Sequence, residues 1–250
     1  MGAVMSVQTR AQPLSFLVTT EMPCPYLPGR MERKVVTRLS GSEAGRNFQL
    51  LQRAGFRRSH AIAYRPACSG CQACVPVRVR AAEYDPGRTL RRTEARNADL
   101  TAAIRLARGT AEQYALFQRY LDGRHSDGEM VGMGLSDYRS MVEDSAIDTR
   151  LVEFRDGGGR LVACALTDWT DDGISAVYSF FDPDLAGRSL GSHAIVWLIR
   201  EAQRRELRYV YLGYWIAESR KMAYKARFRP AEVFGPQGWR PLDPGPLDPG

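Results

Sequence analysis

Lysine is almost missing from this chain of 250 residues. Of its 35 basic residues only Lys34, Lys221 and Lys225 are lysine; the other 32 are arginine. No run of about 18 apolar residues occurs, which excludes a membrane-spanning helix. The opening segment, MGAVMSVQTRAQPLSFLVTT, lacks a continuous apolar stretch behind a basic start, so no secretory signal is expected. Only three histidines are present, which leaves few bases for a catalytic triad. Five cysteines remain: Cys24, Cys68, Cys71, Cys74 and Cys164. Without a signal segment they argue for a metal or free thiols rather than a disulfide framework, and for a cytoplasmic protein. The net charge of +7 favours an anionic partner such as nucleic acid.

Residues 1–40 read as irregular, with prolines at 23, 25 and 28. Helices are expected over 42–54, 90–107 and 111–121, with another starting near 136. Strands are expected over 61–64 and 75–84. From 150 onward the pattern is strand (150–154), strand (161–169), strand (174–182), helix (189–205), strand (208–212), short helix (218–225) and strand (231–234). An antiparallel meander followed by a helix and another strand is the order of GNAT-type acyltransferases. The expected fold class is therefore α+β. It is a GNAT-like acyltransferase fold with a mixed, mostly antiparallel sheet and an N-terminal α/β region holding the cysteines. The expected division is 1–100 for that region with acceptor recognition, 101–241 for acyl transfer, and a disordered Pro/Gly-rich tail at 242–250.

The stretch SFFDPDLAGRSLGSHAIVWLI, residues 179–199, admits two chemistries. Gly187-Arg-Ser-Leu-Gly191 spells the G-x-S-x-G nucleophile elbow. That motif needs its serine directly after a strand and a histidine later in the chain. Pro183 ends the strand well before Ser189, and His193 lies one turn along the same helix, so a hydrolase is set aside. Arg188, Ser189, Gly191 and Ser192 instead open a long helix whose unpaired N–H groups attract a phosphate. His193 stands where such loops carry Gly or Ala, which argues against ordinary coenzyme A binding.

Five further stretches carry a resemblance. They are Cys24-Pro-Tyr-Leu-Pro-Gly-Arg30; Gly55-Phe-Arg-Arg-Ser59; Tyr64-Arg-Pro-Ala-Cys-Ser-Gly-Cys-Gln-Ala-Cys-Val-Pro-Val-Arg-Val79; Tyr178-Ser-Phe-Phe-Asp-Pro-Asp184; and Leu212-Gly-Tyr-Trp-Ile216 through Lys221-Met-Ala-Tyr-Lys-Ala-Arg-Phe-Arg-Pro230. In this order, over residues 15–240, they resemble the bacterial aspartate/glutamate leucyltransferases, relatives of the eukaryotic arginyltransferases. The resemblance implies transfer of leucine from leucyl-tRNA to proteins beginning with Asp or Glu, marking them for degradation by the N-degron route. The residues alone leave leucine and arginine open as the group carried. The rival readings are a coenzyme A-dependent N-acetyltransferase and a tRNA-binding module without catalysis.

An activated ester needs no covalent nucleophile and no cofactor for the transfer step. The site must hold the amine, hold the ester and stabilise an oxyanion. Asp182, at the end of a central strand, is the candidate for holding the ammonium, with Tyr178, Tyr211 and Tyr214 as further catalytic candidates. An acidic first residue calls for guanidinium forks, and Arg30, Arg57, Arg58 and Arg78 are the acceptor-binding candidates. Lys221 and Lys225, spaced i, i+4, and Arg227 join Arg188, Ser189, Gly191 and Ser192 as candidate tRNA contacts. Cys24, Cys68, Cys71 and Cys74 supply four thiolates, a set suited to either zinc or an iron–sulfur cluster and also readable as reduced thiols. Cys164 is expected in the core.

Overall fold

The computed structural model describes residues 13–124 and 130–242. All of the expected tail except Leu242 lies outside the described residues. The chain runs β1 (Phe16–Val18), β2 (Met22–Pro23), β3 (Met31–Glu32), β4 (Lys34–Arg38), α1 (Ala44–Arg53), β5 (Arg57–Ser59), β6 (Ile62–Pro66), β7 (Val75–Arg80), α2 (Arg88–Arg96) and β8 (Thr101–Leu106). It continues α3 (Ala111–Arg124), α4 (Leu135–Glu143), β9 (Thr149–Arg155), β10 (Leu161–Thr170), β11 (Gly173–Phe181), α5 (Leu190–Arg204), β12 (Tyr209–Trp215), α6 (Arg220–Ala223), β13 (Ala231–Gly235) and β14 (Gly238–Pro241).

Among the described residues the main sheet has eight strands, ordered β14-β13-β7-β12-β11-β10-β9-β8. Only the β11–β12 pair in it is parallel; its other pairs are antiparallel. Both faces are covered, so its strands read as near-continuous apolar runs rather than an alternation. Ile195, Leu198 and Ile199 of α5 pack with Val152, Phe154 and Val210 on one face. Leu116 and Phe117 of α3 and Tyr138 of α4 pack with Leu151, Leu166 and Phe180 on the other. A smaller sheet, β1-β4-β6-β5, closes with α1 over Leu39, Phe48, Leu51 and Ala63.

Three expectations change. Residues 101–106, read as helix, form the edge strand β8 on β9, with Ala102↔Phe154 and Ile104↔Val152 in register. Ala, Leu and Arg favour a helix weakly, and pairing along an open sheet edge outweighs that preference. Residues before 40 are not irregular: β1 pairs β4 from Phe16↔Thr37 to Val18↔Val35. The strands are too short, and too interrupted by proline, to show a period of two. The expected boundary at residue 100 does not follow the sheet, because β7 lies inside it between β13 and β12.

Candidate active site

Parallel strands β11 and β12 pair for only three residues, Gly173↔Tyr209 to Ser175↔Tyr211, and then separate. Separation strips strand carbonyls of ladder partners, and interior carbonyls need replacements. Arg57 supplies them: its Nη2 donates to Ala176 O and Val177 O, both at 2.9 Å. Opposite it, Gly213 of β12 has φ +76°, and a Cβ there would collide with the Arg57 guanidinium. Glycine meets both demands.

Beside this splay opens a cleft of about 630 Å³. Arg57 and Lys221 bring positive charge to it, Lys225 also lines it, and Met130, Met133, Met141, Ile195 and Leu198 add apolar lining. Tyr178 and Tyr26 add half-buried phenols. Among the described residues, no Asp or Glu lines the cleft. Arg58 borders it too, but Asp168 accepts from its Nε and Nη2, both at 2.8 Å, in a pair sealed from solvent.

Lys221 is exposed, whereas Lys225 is only 6% exposed. The Lys225 Nζ donates to Tyr214 O at 2.7 Å. Burial, reinforced by the Arg57 charge, holds its pKa well below the usual lysine range. A lysine so enclosed is not the solvent-facing phosphate contact expected of it. Arg227 is exposed, as such a contact requires.

Several other expected site residues are committed elsewhere. Asp182 is fully buried and accepts from Arg119 Nη2 at 2.7 Å, Arg160 Nη1 at 3.2 Å and the Asp184 N–H at 3.1 Å. It caps the turn after β11 and does not line the cleft. Asp182→Asn is therefore expected to cost about 1–3 kcal/mol of stability, while the folded protein keeps its turnover. Urea unfolding measured alongside turnover separates the two effects. Tyr211 donates to Asp172 at 3.2 Å, and Tyr214 donates to Gly55 O at 3.2 Å and Tyr64 O at 3.1 Å. Burial pushes both phenols up, and both serve as clamps between segments. Arg78 is paired to Glu232 at 2.7 Å and stacked 3.5 Å from the Tyr209 ring centroid and 4.1 Å from that of Trp239. It is a structural arginine rather than an acceptor-binding one.

The phosphate-type loop is similarly occupied. Arg188 pairs with Asp99 and donates to Asn97 Oδ1 at 3.0 Å, tying the loop to the end of α2. Ser189 is left-handed at φ 53° and precedes the first turn of α5. Gly191 leaves room for Phe181, whose Cε1 would lie 3.0 Å from an added Cβ. Ser192 is half-buried. The cleft reaches α5 first at Ala194, beyond this loop. Of the expected residues, the structure gathers Arg57, Arg58, Lys221, Lys225 and Tyr178 around one space, with Arg58 already paired to Asp168. The methionine wall was not foreseen: Met130 and Met133 fall between α3 and α4, outside any regular sequence pattern.

The four cysteines expected to act together do line one pocket, of about 60 Å³, with the exposed Arg30. Cys68 Sγ accepts from the Arg33 N–H at 3.4 Å, and burial with the three other thiols pushes Cys74 up to about 12. Among the described residues, no group of three or more His, Cys, Asp or Glu side chains is placed to hold a metal ion. Cys164 is fully buried, as expected.

A parallel strand pair that separates after three residues, beside a helix and a basic-lined cleft, is the arrangement of a GNAT-like fold. The family model described as "Arginine-tRNA-protein transferase, N terminus" matches residues 22–92, and that described as "Arginine-tRNA-protein transferase, C terminus" matches residues 112–235. A protein of Paramagnetospirillum magneticum named aspartate/glutamate leucyltransferase is 58% identical, covering 94% of this chain and 96% of its own length. One of that name from Rhodospirillum rubrum is 55% identical, covering 93% and 95%. The chain belongs to the aspartate/glutamate leucyltransferase family and is an aminoacyl-tRNA–protein transferase. Among solved structures, the C-terminal domain of a putative lysylphosphatidylglycerol synthetase from Agrobacterium fabrum shares the fold. Its TM-score is 0.50 at 16% identity, covering 78% of this chain and 63% of that one. Among the described residues, no helix is long and apolar enough to cross a membrane.

Proposed function

We propose that the chain transfers leucine from leucyl-tRNA to the α-amino group of proteins beginning with Asp or Glu, marking them for degradation in the cytoplasm. One observation carries the reading: the cleft is lined by the basic Arg57 and Lys221 together with several apolar side chains, and is free of carboxylates among its described lining residues. An acidic side chain supplies the missing negative charge beside Arg57 and Lys221. A leucyl side chain fits the wall of Met133, Met141 and Ile195, where an arginyl guanidinium would be buried without a partner. The ester is already activated, so positioning and oxyanion stabilisation do most of the catalysis. Arg227, which is exposed, is the candidate contact to the tRNA phosphates.

The test offers labelled leucyl- and arginyl-tRNA with peptides beginning Asp, Glu, Asn or Lys, and acetyl-CoA as a rival donor. Leucine is expected on the Asp and Glu peptides, at rates about 10- to 100-fold above Asn, as losing charge-assisted hydrogen bonds implies. Acetyl transfer, or equal use of Asn, would overturn the reading. Arg227→Ala is expected to weaken tRNA binding and to flatten the log K against log salt slope by about one.

A further inference from the structure

We propose that Lys225 is the base that takes the proton from the acceptor's α-ammonium, and that the acceptor's own acidic side chain enables it to do so. The proposal rests on the transfer reaction above. A neutral lysine amine has two hydrogens and one lone pair. One hydrogen is spent on Tyr214 O, and Lys225 lines the cleft. Arg57 from β5 and Cys74 just before β7 act on its charge, and the other titratable groups lining the same cleft are Arg58 and the exposed His60, Lys221 from α6, and the phenols of Tyr26, Tyr64, Tyr120, Tyr178 and Tyr224. None is a carboxylate. Burial and the Arg57 charge therefore make Lys225 hold its proton less tightly than an exposed lysine would, with Cys74 opposing them.

An acceptor that begins with Asp or Glu brings one negative and one positive charge. Its carboxylate, placed against Arg57 and Lys221, cancels the field that Lys225 feels. The Nζ lone pair then accepts a proton from the α-ammonium. The freed amine attacks the ester carbonyl carbon, a C–N bond forms, and the C–O bond to the ribose breaks. The attacking nitrogen's second surplus proton goes to the leaving oxygen, and Lys225 releases the first to solvent. Two protons leave the ammonium and both are accounted for. An acceptor beginning with Asn or Gln has the same shape and cannot switch Lys225 on, so selectivity should lie in kcat as well as in KM.

The experiment compares wild-type protein with Lys225→Arg and Lys225→Gln, using leucyl-tRNA and an Asp peptide from pH 6.5 to 9, with Tm and acceptor KM recorded. Arginine is permanently charged and glutamine permanently neutral, and neither can act as a base. Free α-amines deprotonate near about pH 8. Both variants should lose kcat at least about 10-fold at pH 6.5, and the gap should close as pH passes about 8. Lys225→Gln should keep acceptor KM within about three-fold, since Arg57 and Lys221 hold the acceptor carboxylate, and Lys225→Arg serves as the second variant. Should either fail to fold by Tm, the other decides. Wild-type kcat at pH 6.5 in the folded variant, or a deficit independent of pH, overturns the role of Lys225. Wild-type protein that moves no leucine to the Asp peptide instead removes the transfer reading beneath it.

Discussion

Arg58→Met, with Asp168 left in place, is expected to destabilise the protein by about 3–5 kcal/mol, the usual cost of stranding one member of a buried ion pair. The pair is sealed, at 1% and 0% side-chain exposure. It joins β5 of the small sheet to β10 of the large one. Arg58 Nη1 also donates to His60 O at 2.9 Å, and Thr149 Oγ1 donates to Asp168 at 2.7 Å. Loss of the guanidinium leaves an anion with a single hydroxyl donor beyond it. The pair itself need not stabilise the fold, because two apolar residues of similar volume often substitute well. Arg58→Met combined with Asp168→Leu is therefore expected to recover at least half of the loss. Denaturant unfolding of both single variants and the double gives the coupling energy. A single-variant cost under about 1 kcal/mol would mean the pair is open to water.

Gly213→Ala is expected to cut kcat/KM by about 100-fold or more while leaving most of the stability intact. The added methyl collides with the Arg57 guanidinium, and alanine at φ +76° costs about 1–2 kcal/mol of backbone strain. Arg57 must then withdraw from Ala176 O and Val177 O, and the strand gap loses its plug. A shift of about 1 Å in such a group is enough for a hundred-fold effect. Adding Gly213→Ala to Arg57→Ala should change little further, because the methyl then has nothing to displace. Independent, multiplying losses in the double variant would show that the two residues do not act through one another.

Parts of this site were legible in the sequence and parts were not, for physical reasons. The rarity of lysine singled out Lys221 and Lys225, and both reach the cleft. The Gly55–Ser59 stretch pointed to Arg57 and Arg58 together. Strand alternation says that neighbours face opposite ways, but not which one meets a partner. Asp168 lies 110 residues from Arg58 and Glu232 lies 154 residues from Arg78, so no local pattern could reveal either pairing. Asp182 misled because a carboxylate at a strand end looks available. The arginines that enclose it, Arg119 and Arg160, come from α3 and the β9–β10 turn. The order of elements in the second half was readable because its strands are long and flank a strong helix. The edge strand at 101–106 was not, since its residues suit a helix equally well.

The cleft as the meeting place of acidic acceptor and leucyl ester is tested most directly by a crystal structure with a hydrolysis-resistant leucyl-adenosine amide and an Asp-initiated peptide. The leucyl side chain is predicted to lie against Met133, Met141 and Ile195, with the Asp carboxylate within hydrogen-bond reach of Arg57 or Lys221. Leucyl density in the cysteine-lined pocket, or a carboxylate bound at Arg78, would contradict the account.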